Sequence, residues 1–183
     1  MEEKIRMQRI RMLSALGDFQ LALSAADFMQ EADEDQKYNH VELRRFRCYE
    51  HTAIVSYARP FSQSKGKTPK LSLKMCGVTL TPEEQELHDR VIDLRNKLVA
   101  HSDTEMMNFA AQAGEVMRHE GQPFYGLMVK HDEGLQFYKW MDQLDLIDLI
   151  RKVSFTLYDK MSELVQDDPK AFDIKVHFSD QSV

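Results

Sequence analysis

Apolar residues recur at helical spacing along most of the chain and alternate in only one region. Between Ile10 and Ala32, Leu13, Leu16, Phe19, Leu23, Ala26 and Phe28 step near a helical period, which predicts a first helix. The acidic cluster Glu31 to Asp35 follows as a loop. Asn39 is placed to cap a second helix running through Val41, Phe46, Tyr49, Ile54 and Tyr57. That helix ends before Pro60, because proline disfavours helix at its predecessor. Thr81-Pro82-Glu83-Glu84 is a helix start, with a cap, a proline at the first helical position and acids in the first turn. Leu87, Val91, Leu94 and Leu98 then step by four, three and four, one buried stripe of a third helix.

The period changes between Met106 and Lys130. Phe124 to Val129, preceded by Glu120-Gly121-Gln122-Pro123, reads as one arm of a hairpin whose partner lies around Ala110 to Met117. A last long helix is expected from Gly134 to about Val165, with Phe137, Trp140, Met141, Ile147, Val153 and Leu157 on its apolar side and Pro169 after its end. Phe137, Tyr138 and Trp140 read as core rather than as a base-stacking platform. Ser62 to Thr79 reads as an extended or partly ordered basic loop, and Ala171 to Phe178 as a short strand or a loose tail. The expectation is a mainly all-α chain, a helical bundle with a small β-hairpin inserted before the last long helix. It is read as one domain over residues 1–183: core about 10–165, basic loop 62–80, hairpin insertion about 106–130, C-terminal tail 166–183.

Composition narrows the class. Hydrophobic residues make up 43% and charged residues 30%, which a packed globular domain needs and a disordered chain lacks. No apolar run approaches a membrane span, and Arg6, Arg9 and Arg11 interrupt any signal-peptide core, so a cytoplasmic protein without a membrane role is expected. Cys48 and Cys76 form no metal or redox spacing and are expected as a reduced, buried pair. The net charge of −6 argues against general attraction to polyanions. Lys37 to Thr79 nevertheless carries nine basic residues against Glu42 and Glu50, so a polyanion has one basic stretch to meet. A solvated loop and helix surface would have the same composition.

The stretch with the most chemistry is Leu94-Arg95-Asn96-Lys97-Leu98-Val99-Ala100-His101-Ser102. Arg95, the polar Asn96 and a histidine separated from the arginine by five residues resemble the motif of the HEPN superfamily of helical-bundle proteins. Val55-Ser56-Tyr57-Ala58-Arg59-Pro60-Phe61 is similar to the end of the second helix in an abortive-infection branch of that superfamily. The resemblance spans about residues 10 to 165. It implies a four-helix up-down bundle, a homodimer in which two motifs form one composite site, and metal-independent cleavage of RNA to 2′,3′-cyclic phosphate ends in a toxin or phage-defence setting. It also implies no cofactor and, as a further partner, a nucleotidyltransferase-type antitoxin.

Under that resemblance Arg95, His101 and Asn96 are the catalytic candidates, and Arg59, Lys65, Lys67 and Lys70 the RNA-binding ones. A histidine of near-neutral pKa can accept the 2′-OH proton or donate to the leaving oxygen. A guanidinium can hold the nonbridging oxygens. Two alternatives stand beside it: an inactive binding or regulatory relative, and a toxin-antitoxin component silenced by its partner. A six-residue offset puts Arg95 and His101 about 120° apart on an unbroken helix, so a shared cleft needs a helix end near Ala100 or a dimer axis. Arg95 could instead pair with Asp93 or a neighbouring helix's acid, while His101 caps its helix. Arg59 could equally cap its own helix. His88 reads as an ordinary surface histidine on the Arg95 side, and the remaining histidines show no metal spacing.

Overall fold

The computed structural model describes residues 2–63, 68–100, 109–131 and 134–174, the side chains of residues 98–100, 109, 130 and 131 excepted. Among these residues the chain is mainly helical, with five helices and a two-stranded antiparallel sheet. Helix α1 spans Glu2–Met29, α2 His40–Ala58, α3 Leu73–Cys76, α4 Pro82–Ala100 and α5 Trp140–Asp167; strand β1 spans Phe109–His119 and β2 Gln122–His131. No helix among the described residues is long and apolar enough to cross a membrane.

The helix starts follow local chemistry. Asn39 accepts from the backbone N–H of Val41 and Glu42 while Glu42 accepts from the Asn39 N–H, a reciprocal capping box. Thr81 and Glu84 repeat the device at the start of α4. Glu84 also accepts two hydrogen bonds from Lys152 Nζ, at 2.9 and 2.6 Å, tying the first turn of α4 to α5. Helix α5 begins at Trp140, six residues later than Gly134. Residues 134–139 are held as coil because the Phe137 N–H donates to buried Glu50 at 2.7 Å and Gln143 donates back to the Phe137 carbonyl.

One core cluster draws on α1, α2, α4 and α5. Helix α1 faces it with Met12, Ala15, Phe19, Ala22, Ala26 and Met29. The large residues Leu13 and Phe28 lie off that face, Phe28 at 51% exposure. Small alanines let α1 lie close to α2 and α5, so its inward face is narrower than an apolar count indicates. The helix also starts at Glu2, well before Ile10, because charged residues outside the core still favour helix. In α5 the inward stripe is Leu146, Ile150, Val153 and Leu157, whereas Trp140 and Met141 face solvent at 46% and 62%.

Two further expectations are narrowed to one of their alternatives and one is corrected. The segment 68–80 is partly ordered: Ser72 caps the short α3, and Gly77 closes it in the left-handed region at φ 72°. Cys76 is buried, its thiol pushed up to about 12 by burial, but Cys48 is exposed on α2. Of the two alternatives for Ala171 to Phe178, residues 171–174 form turn and coil, and residues 175–178 lie outside those described.

The hairpin matches its expected position. Glu120 and Gly121 both take positive φ, 50° and 78°, in a two-residue turn of the mirror-image kind whose twist suits paired strands.

Candidate functional site

Helix α4 carries Arg95 and Asn96 near its C-terminal end. Val91 and Leu94, both buried, seat that part of the helix on the core. Arg95 is half-buried: its Nε is enclosed with no hydrogen-bond partner among the described residues. Its NH1 donates to Oδ1 of exposed Asn96 at 3.1 Å. Asp93 does not take Arg95; it pairs with Lys97 at 2.6 Å, one turn on. Among the described residues no carboxylate holds the Arg95 guanidinium. The neighbouring amide therefore orients a cation that keeps its charge available to an anion.

His101, Ser102 and Asp103 lie outside the described residues, as do Lys65 and Lys67. Arg59 and Lys70 are described. The Arg59 backbone N–H closes α2 by donating to the Val55 carbonyl, and its guanidinium pairs with Asp18 at 2.6 Å. Burial raises the Asp18 pKa, and the charge and hydrogen bond of Arg59, with the charge of Arg11, pull it back. Arg11 itself is buried and donates to the Pro69 carbonyl at 2.7 Å, fixing the loop entrance beside exposed Lys70.

These groups do not gather at Arg95. The Tyr57 hydroxyl lies 2.7 Å from His88 Nδ1, so the end of α2 sits level with the first half of α4. Arg95 is seven residues further along α4, about 10 Å at helical rise. Glu50, earlier on α2, holds Phe137, over which Arg90 stacks at 4.6 Å. Arg59, just past the end of α2, follows Tyr57 at the level of His88, while Arg95 lies further along α4.

His88 is a correction. It is buried, bonded to the buried Tyr57 hydroxyl and packed edge-on against Phe61 with ring centroids 4.7 Å apart. Burial lowers its pKa, against a smaller raising by Asp89, and burial raises that of Tyr57. The pair is a neutral hydrogen bond that locks α2 to α4 beneath Phe19 and Phe61. His88 lies three residues before Val91 on the inward stripe, and that spacing was the signal for its burial. The second polar device missed in the sequence is Glu50 with Gln143, both buried: Glu50 has no sequence signature because its partner is a backbone N–H 87 residues away, and Gln143 bonds the carbonyl of that same Phe137 six residues before it.

Among the described residues no cluster of His, Cys, Asp and Glu could hold a metal ion. No protein-family model, curated protein or solved structure matches this chain.

Proposed function

We propose that the chain is a HEPN-type, metal-independent endoribonuclease with a toxin or phage-defence role, built on a four-helix up-down bundle and active as a homodimer. The observation that carries this reading is the Arg95–Asn96 pair: a helix-end guanidinium, aligned by the adjacent amide and paired with no carboxylate among the described residues. A guanidinium held this way has a planar face of donors that a phosphate can meet.

In the proposed reaction the RNA 2′-oxygen attacks the adjacent phosphorus and the bond to the 5′-oxygen breaks. The products are a 2′,3′-cyclic phosphate and a 5′-hydroxyl. His101 of one protomer accepts the 2′-OH proton, and a histidine of the second motif returns a proton to the departing 5′-oxygen. Arg95 holds the nonbridging oxygens as charge builds on phosphorus, and Asn96 positions it. Lys65, Lys67 and Lys70 contact phosphates along the strand. Arg59, committed to Asp18, contributes less to that contact.

The test is Arg95→Lys, which keeps a cation but loses the planar fork. Cleavage of a generic RNA in chelator should fall at least tenfold with the helical content unchanged. Full activity in Arg95→Lys would remove Arg95 from the reaction.

A further inference from the structure

Arg11, Asp18, Arg59 and Lys70 are spread along the sequence but meet where the chain leaves α2 and returns towards α3. The Leu71 N–H donates to the Pro60 carbonyl at 2.8 Å, which brings the preceding residues, Arg59 and Lys70, to one neck. Arg11 donates from Nε to the Pro69 carbonyl at 2.7 Å, next to Lys70. Asp18 lies two turns beyond Arg11 on the same face of α1 and pairs with Arg59. Two guanidinium groups and the exposed Lys70 thus stand about one carboxylate, a local excess of positive charge in a chain carrying −6.

The donors at this neck are only partly engaged. Arg11 is 7% exposed, and its two terminal nitrogens make no hydrogen bond among the described residues. Unlike Arg95 Nε, those nitrogens are open to solvent. Asp18 takes one nitrogen of Arg59, NH1, at 2.6 Å, and among the described residues no other acid pairs with Arg59 and none pairs with Arg11. A largely desolvated guanidinium with open donors holds an anion better than an exposed lysine does, because it is weakly hydrated and its field is less screened. Asp18 fills part of that role. Its side chain is 14% exposed, and burial raises its pKa against the pull of Arg59 and Arg11. A carboxylate and a phosphodiester are both monoanions that accept from guanidinium N–H groups, so the two compete for Arg59. We infer that Arg11, Arg59 and Lys70 form a seat for one phosphodiester of a single strand, and that Asp18 is its built-in competitor, holding Arg59 back.

The ligand class rests on the RNA reading, so the experiment scores binding apart from cleavage. It is fluorescence anisotropy of a labelled single-stranded deoxyoligonucleotide, which lacks the 2′-hydroxyl and cannot be cut by that route, titrated with the full chain across a salt series. Asp18→Asn and Asp18→Ser should each tighten binding about fivefold at low salt, the effect of removing one partly shielded charge. Each should steepen the logarithmic salt slope by about 0.7, the value of one added phosphate contact on a single strand. Asp145→Asn removes the same charge from an exposed position on α5 and should change little. Asp18→Asn combined with Arg59→Gln should lose the gain. Affinity unchanged or weakened in both Asp18 variants, or a gain that Asp145→Asn reproduces or that survives Arg59→Gln, would overturn the inference. So would no strand binding by wild type and Asp18 variants alike. Saturable binding of inorganic phosphate to Asp18→Asn without tighter strand binding would also overturn it, by assigning the cations to a small phosphate compound. Tightening in a protein that cuts no RNA would sink the cleavage reading alone, and RNA cleavage with unchanged strand affinity would sink this inference alone.

Discussion

Replacing Glu50 probes how the start of α5 is held. Glu50 is 1% exposed and accepts the Phe137 N–H at 2.7 Å. Burial raises its pKa, against lowering by the backbone N–H groups of Phe137 and Gln136 and by the charges of Arg47 and Arg90. Glu50→Ala leaves the Phe137 N–H without an acceptor, which costs about 1–3 kcal/mol, and removes one buried methylene worth about 0.8 kcal/mol. Relief of the cost of burying a charge offsets part of this, leaving a loss of about 2 kcal/mol. For a chain of this length that lowers Tm by about 4–8 °C. Glu50→Gln keeps an oxygen for Phe137 and should lose no more than about 1 kcal/mol.

The sign of the pH dependence follows from the raised pKa. The folded state holds the Glu50 proton more tightly than the unfolded chain does. The stability this gives is fully present below the ordinary value of 4.5 and is lost as pH rises through the folded value. Differential scanning calorimetry from pH 4 to 7 should therefore show the wild-type advantage over Glu50→Gln shrinking as pH rises. A difference that is flat or grows with pH, or a Glu50→Ala protein as stable as the wild type, would refute this view of how α5 is anchored.

Tyr57→Phe should cost about 1–2 kcal/mol in urea unfolding with an unchanged m-value, because it strands the buried Nδ1 of His88. The lowered His88 pKa adds stability that is present above the ordinary value of 6.5 and lost as pH falls through the folded value; NMR titration of the imidazole measures it directly. Replacing Lys65, Lys67 and Lys70 together with alanine should weaken RNA binding and make its logarithmic salt dependence shallower, read by fluorescence anisotropy across a salt series.

The helices were legible where local chemistry decides them. Asn39 and Thr81 with their partner glutamates mark two starts, and Glu120-Gly121 marks the hairpin turn, because capping and turn geometry involve residues within three positions of each other. The inward face of α1 was not legible in the same way. Large apolar residues signal burial, yet close helix approach selected alanines and left Phe28 outside. The late start of α5 depends on Glu50, far away in sequence, and no local pattern carries it. At the candidate site, Arg95 and Asn96 stand near a helix end as their spacing implied, and the expected Asp93 alternative is taken by Lys97. Arg59 shares its charge with Arg95 in sequence but is committed to Asp18 on α1, a pairing that comes from packing rather than composition.

Product-end analysis of RNA treated with the protein in excess EDTA tests the proposed chemistry most directly. The wild type should produce fragments ending in 2′,3′-cyclic phosphate and beginning with 5′-hydroxyl, and His101→Ala should produce none while keeping the wild-type circular dichroism and sedimentation. An intact RNA after incubation with a verified wild-type dimer, or equal cleavage by His101→Ala, would contradict the proposal.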